Sequence, residues 1–428
     1  MLKIPQAAKL SHTRTENSLY GKTVMENGIR VVSEEIPHVR SVSIGIWADV
    51  GSRDEDPEQN GISHFLEHMV FKGTRKRTVR DIAQSLESLG GYLNAFTTKE
   101  QTCFYARVLD SNVGEAMDVL SDLLLNATFK PEEVEKEKTV VIEELKNAED
   151  DPEDIIHDFF EKALFPNHTL GNPIIGTESN VRRFHRDDLR SHIRTHYIPT
   201  RLVVSAAGNI QHDSLVRLVQ RHFRSLKMNG STPRKRVPGP TVRSKGVQSE
   251  HTRPINQAHV CLGTIGCGIK HRERYPILLL NAMLGEGMSS RLYQSVREKH
   301  GLAYSVYSFV NMLSDTGVFG VYVGADKKNV GQVIDLVHHE LERAKNKLVS
   351  KSELQRIKSQ IKGTMMLGLE NTSGRMIRLG SGEIYFESFV SLDTILKKVD
   401  AVTPDAIARI ARDLLKQETF TTVIIRPS

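Results

Sequence analysis

Residues 103–124 read CFYARVLDSNVGEAMDVLSDLL, and residues 318–341 read VFGVYVGADKKNVGQVIDLVHHEL. Each begins with a run rich in β-branched and aromatic residues, the composition of a strand. Each then passes through an Asn-Val-Gly triplet, Asn112-Val113-Gly114 or Asn329-Val330-Gly331, into apolar residues at helical spacing. A long charged helix follows both, PEEVEKEKTVVIEELK from Pro131 and KSELQRIKSQIKGTMM from Lys351. Three elements in one order, with the Asn-Val-Gly triplets 217 residues apart, imply an internal duplication.

Working outward, the pattern is mixed. Asn27-Gly28 predicts a hairpin with a type I′ turn over residues 22–34. Val42, Ile44 and Ile46 alternate as in a half-buried strand. Strands are expected near 92–98, 101–110 and 201–208, and helices near 112–126, 131–164, 186–197 and 211–226. This is a layered α+β unit. Residues 229–256 carry Pro, Gly and basic residues with little apolar content, which is linker chemistry. The expected domains are therefore 1–228, a linker at 229–256, and 257–428.

Composition removes several classes. The 428 residues are 39% hydrophobic and 26% charged, a globular balance. No apolar run approaches the ~18 residues of a membrane-spanning helix, so no membrane partner is expected. A net charge of +6, without a Lys/Arg stripe interleaved with aromatics, gives no footprint for nucleic acid. Three cysteines, Cys103, Cys261 and Cys267, are too few for a disulfide framework and read as small core residues. Residues 1–20 lack the apolar stretch of a secretory leader. The expectation is a bacterial-type cytoplasm rather than a mitochondrial matrix.

The chemistry lies in GISHFLEHMVFK, residues 61–72. At about 100° per residue, Ile62, Phe65, Leu66, Met69 and Val70 form one apolar stripe. His64, Glu67 and His68 share the opposite arc. Two imidazoles one turn apart reach one metal ion, and the carboxylate beside them is placed to take a proton from water. This is the H-x-x-E-H arrangement. A catalytic zinc site needs a third protein ligand. On the helix from Pro131, a wheel puts Glu137, Val140, Val141 and Glu144 on one core-facing stripe, with Glu143 about 100° away. Buried carboxylates need a partner, either a metal or a salt bridge. Gly73 is expected to end the His-bearing helix.

NGISHFLEHMVFKGT, GGYLNAFTTKEQTCFYA and the Glu-rich helix together resemble the pitrilysin family of zinc peptidases. The nearest branch in pattern holds the mitochondrial processing peptidase beta subunit and its single-module bacterial relatives. In that branch the third ligand is a Glu about 76 positions after the second His, which implies Glu144 here. The resemblance thus implies one Zn²⁺ per chain on His64, His68 and Glu144, with Glu67 as general base and Glu137 as a supporting acid. It implies a substrate-pairing edge strand at Asn94-Ala95-Phe96-Thr97, with Asn94, Ala95 and Phe96 as its substrate-binding residues. REKHGLAY supplies Arg297 and Tyr304, whose relatives reach the substrate near the metal, with Tyr304 aiding catalysis.

The implied fold is α+β of the metallopeptidase (LuxS/MPP-like) type, two homologous layered halves forming a clamshell around an enclosed chamber. Aligning Lys138 with Lys358 sets Thr364 opposite Glu144, so the second half is expected to lack metal ligands and to complete the cleft. The implied activity is a zinc metalloendopeptidase acting on peptides or extended polypeptide segments. The implied assembly is a homodimer, with a heterodimer with an inactive homologue as rival. A non-catalytic subunit of a processing-peptidase or respiratory-complex-core assembly is the alternative class.

Overall fold

A computed structural model describes residues 11–15, 18–226, 236–240 and 246–428. The chain forms two compact α+β units. The first holds a seven-stranded sheet built from β1 (Ser11–Thr15), β2 (Ser18–Val24), β3 (Arg30–Glu35), β4 (Ser41–Ala48), β5 (Tyr92–Thr97), β6 (Thr102–Leu109) and β7 (Leu202–Gly208). Its order is β1-β2-β3-β7-β4-β6-β5. The second holds a five-stranded sheet of β8 (Gln248–Arg253), β9 (Ala258–Cys267), β10 (Ala303–Met312), β11 (Thr316–Ala325) and β12 (Thr421–Pro427), in the order β10-β11-β9-β12-β8.

The duplication is visible in strand pairing. In the first sheet β5, β6, β4 and β7 run antiparallel in turn, and β7 meets β3 in parallel. In the second, β10, β11, β9 and β12 do the same, and β12 meets β8 in parallel. The Asn-Val-Gly helices are Val113–Asn126 and Val330–Asn346, and the charged helices that follow are Pro131–Asp150 and Lys351–Gly368.

Each unit borrows one helix from the other half of the sequence. The first unit comprises 1–143, 173–236 and 367–391, and the second 144–172, 237–366 and 392–428. Helix Pro152–Leu164 buries Ile156 and Phe160 against the second sheet, beside Cys261 and Val423. Helix Thr372–Phe386 buries Met376 and Leu379 against the first, beside Trp47 and Cys103. A Cβ on Gly380 would lie 2.2 Å from the Trp47 indole nitrogen, so this helix approaches the sheet only through glycine. The contiguous domains drawn along the sequence do not coincide with these interleaved units.

Four local expectations need correction. The helix expected over 131–164 is two helices, because Asp151 leaves helical φ/ψ and caps the next one, with Pro152 in its first turn. The hairpin at Asn27-Gly28 exists, but only Gly28 takes positive φ. The loop bonds Gly28 N to Met25 O, a tight turn followed by a left-handed glycine rather than type I′. Asn27 instead spends its amide on the carbonyls of Phe223 and Leu226.

The stretch read as linker, 229–256, contains strand β8, whose alternating exposure belongs to a sheet edge and needs few apolar residues. Residues 229–235 and 241–245 of this region lie outside the described residues. Finally, the His-bearing helix ends at Met69, and Gly73, with φ +113, follows it by four residues. Among the described residues no helix is long and apolar enough to cross a membrane. Cys103 and Cys261 are fully buried and Cys267 is half-buried.

Candidate metal centre

Helix Ile62–Met69 owes its position to its apolar stripe. Ile62, Phe65, Leu66, Met69 and Val70 are all fully buried in the first unit's core. Its N-terminus starts at Gly61, with φ +99, where a Cβ would lie 2.6 Å from the Ile175 carbonyl oxygen. Glycine fits but offers no capping side chain. Glu55 supplies the cap from outside the helix: its carboxylate accepts from Gly61 N at 2.8 Å, Ser63 N at 2.8 Å and Asn60 Nδ2 at 3.0 Å. Burial pushes the Glu55 carboxyl up to about 7, against the pull of those bonds from Ser63, Gly61 and Asn60.

The opposite face carries His64, Glu67 and His68, all half-buried. The two imidazole rings lie 4.8 Å apart between centroids. Burial, and then the neighbouring His68, lowers His64 to about 4, so it is neutral at working pH. His68 Nδ1 lies 2.9 Å from Glu137 Oε1. A carboxylate only accepts, so Nδ1–H donates, and the lone pair of His68 sits on Nε2. Lys72 Nζ binds the other oxygen of Glu137 at 2.6 Å. Burial alone would raise Glu137, but the bonds from His68 and Lys72 hold it below the usual carboxylate range.

Helix Pro131–Asp150 brings Glu144 to the same place. The division between the units falls inside this helix, and Glu144 is the next residue after Glu143. One donor atom each from His64, His68 and Glu144 lie within 4.8 Å of one another. The wheel needs one correction. The buried stripe runs through Val134, Glu137, Lys138, Val141, Ile142 and Leu145. Val140 and Glu144 lie off it and are exposed. Glu137 is thus the buried carboxylate, and Glu144 reaches the imidazoles from the open side of its helix.

β5 closes the arrangement. Among the described residues it pairs only with β6 and leaves its other edge, along Asn94, Ala95 and Phe96, open. Asn94 is exposed, Ala95 is buried, and Phe96 packs edge-on to Trp47 at 5.6 Å. Thr97, at the end of this strand, donates its hydroxyl to Glu67 Oε2 at 2.6 Å. In the second unit, Arg297 lies on the π-helix Tyr293–Lys299 and stacks over Tyr293 and Tyr304, 4.9 and 5.2 Å from their ring centroids. Tyr304 is 74% exposed on the edge strand β10. The structure brings Arg297 and Tyr304 to each other, and His64, Glu67, His68, Glu137 and Glu144 to each other.

Two contributions escape the sequence reading: Glu55 altogether, and the bond from Thr97, a residue expected only as part of the edge strand, to Glu67. A faint signal exists for each. A helix opening on glycine needs an outside acceptor, and strand alternation sets Thr97 on the same face as Ala95.

The donor set fits zinc. Two imidazoles and one carboxylate are a common ligand set that leaves a fourth position open, and the Nδ1–H···Glu137 bond is the usual support for an imidazole that ligates through Nε2.

Residues 30–178 match the model of the insulinase family, peptidase family M16, and residues 183–361 match that of the peptidase M16 inactive domain. An uncharacterized zinc protease of Streptomyces coelicolor is 42% identical over 94% of this chain and 89% of its own. One from Bacillus subtilis is 42% identical over 94% of this chain and 97% of its own. Among solved structures, a protease from Helicobacter pylori superposes with a TM-score of 0.90 at 22% identity, covering 95% of this chain and 99% of that one. A peptidase M16 inactive domain from Pseudomonas fluorescens gives 0.88 at 18% identity, with 96% and 98% covered.

Proposed function

The chain belongs to the pitrilysin (M16) family of zinc proteases, and within that family we propose that it is an active zinc endopeptidase cleaving extended polypeptide segments. The observation that carries this is the gathering of His64, His68 and Glu144 donors with Glu67 on the same helical turn. A scaffold protein needs none of these four.

His64, His68 and Glu144 hold one zinc per chain. When bound, zinc supplies a Lewis acid that polarises the scissile carbonyl and brings the pKa of a coordinated water toward ~7. Glu67 is not a ligand. Its carboxylate takes the proton of the attacking water and delivers it to the leaving nitrogen. Glu137 holds the Nδ1 proton of His68 and so fixes the ring's tautomer and direction. The open edge of β5 at Asn94, Ala95 and Phe96 receives substrate backbone by β-addition, which makes little demand on substrate side chains. Arg297 binds a substrate carbonyl, and the Tyr304 hydroxyl donates to the developing oxyanion.

Homodimer assembly, with a heterodimer as rival, is part of this proposal, and elution mass decides it. Zinc stoichiometry and peptide hydrolysis test the central reading. Purified protein is expected to carry about one zinc per chain and to cleave unstructured peptides. A metal-free, inactive wild type would reject the proposal.

A further inference from the structure

We propose that Thr97 is a positioning residue for Glu67, and that through it the strand that receives substrate also aims the general base. The inference rests on the endopeptidase reading above.

The bond is short and charge-assisted: a hydroxyl donates to a carboxylate oxygen at 2.6 Å. It joins two elements of different duty. Glu67 stands on the helix with His64 and His68, while Thr97 ends β5, whose outer edge is open. A glutamate has three side-chain torsions, and a bond to one carboxylate oxygen narrows the directions the group can take. Anchoring Oε2 sets the direction in which the other oxygen points.

The anchor itself is stiff. Threonine is β-branched and has few χ1 choices. Thr97 is paired to Thr102 across the β5–β6 turn. That turn is tied by Thr98 N to Gln101 O at 2.8 Å and by Gln101 N to Thr98 Oγ1 at 3.0 Å. It is also held from outside. Ser52 N bonds Thr98 O at 3.2 Å, and Arg53 N bonds Lys99 O at 2.8 Å. Arg53 and Glu100 form a fully buried ion pair. The segment holding this turn runs directly into Glu55, which caps the N-terminus of the Glu67 helix. Both ends of the Thr97–Glu67 bond are therefore fixed by one framework, and a misdirected base is costly: a displacement of about 1 Å can reduce a rate ~10²-fold.

Two near-isosteric variants separate this role from packing. Thr97→Val keeps shape and strand propensity and removes only the hydroxyl. Thr97→Ser keeps the hydroxyl and removes a methyl. Thr97→Val should lower kcat about 10- to 100-fold with KM nearly unchanged, the signature of an interaction used after binding. Zinc affinity and thermal midpoint should match the wild type. Thr97→Ser should restore most of the rate. In a Glu67→Gln background, Thr97→Val should neither lower the residual rate further nor change the Kd for a test peptide. An unchanged kcat in Thr97→Val, a Thr97→Ser variant as slow as Thr97→Val, or a further loss in the Glu67→Gln background would each overturn the role. If Glu67→Gln itself kept full activity, the endopeptidase reading would fall and this inference with it. A normal Thr97→Val beside an inactive Glu67→Gln overturns the inference alone.

Discussion

The two units have the same plan and opposite contents. Between β4 and β5 the first unit places helix Ile62–Met69, apolar on one face and bearing two imidazoles and a carboxylate on the other. Between β9 and β10 the second places helix Arg274–Gly285, RYPILLLNAMLG, which is buried along almost its whole length and holds no His, Asp or Glu. The charged helices differ in the same way: Glu144 has Thr364, exposed, as its counterpart. Pairing order, parallel and antiparallel sense and helix order all persist. The backbone plan therefore does not make the candidate metal site. A handful of side chains on one solvent-facing arc does, because a strand order is held by backbone bonds and buried apolar faces that leave that arc free to vary.

The largest effects should separate the two copies outright. Glu67→Gln is expected to keep zinc and fold but lose peptide hydrolysis by several orders of magnitude, since an amide accepts no proton at working pH. Glu144→Gln should strip the zinc, Glu143→Gln should be mild, and Thr364→Gln in the second copy should change nothing. Metal analysis at a fixed chelator concentration reads all three, and a reversed order for Glu143 and Glu144 would show that the wrong helix face was chosen.

Next comes the second unit's contribution to catalysis. Tyr304→Phe should lower turnover by ~10²–10³, as loss of one oxyanion donor does. Zinc content and thermal midpoint should hold, because a side chain 74% exposed contributes little packing. An unchanged rate would leave Tyr304 with no chemical part.

Stability sharpens the comparison at the exchanged helices. Phe160 and Met376 are both fully buried, each on a helix that packs on the sheet of the other sequence half. Phe160→Ala and Met376→Ala should each cost about 2–5 kcal/mol. Urea unfolding checks this, and a cost below 1 kcal/mol at either site would mean the borrowed helix is dispensable to its sheet.

The last effect is a pH dependence that His192 brings to the first unit. Burial, then the nearby charges of His196 and Arg201, lowers His192 to about 3 from the usual 6.5. The unfolded chain therefore binds more protons than the folded one between those values. His192 contributes stability fully present above pH 6.5 and lost progressively as pH falls toward 3. His192→Gln should flatten the slope of unfolding free energy in that window, and an unaltered slope would place the acid sensitivity elsewhere.

How much of this was legible beforehand divides by range along the chain. His64, Glu67 and His68 fall within five consecutive residues, and helical periodicity alone puts them on one arc. Glu137 and Glu144 are two turns apart on one helix, so their relation to each other was local, although their unequal burial was not. The duplication was legible because the same local patterns recur in the same order.

What only the tertiary structure decided is whatever joins distant segments. The exchange of helices Pro152–Leu164 and Thr372–Phe386 depends on which apolar faces meet, and an amphipathic pattern states that a face must be covered without stating by what. β8 is too polar to announce itself, because an edge strand draws its place from β12's backbone. Glu55 at the head of the His-bearing helix, and Thr97 on Glu67, are hydrogen bonds between separate elements. A hydroxyl in a strand carries no mark of the carboxylate it will meet, so the donors of the metal centre could be read from the sequence, while the framework that aims them existed only in the folded chain.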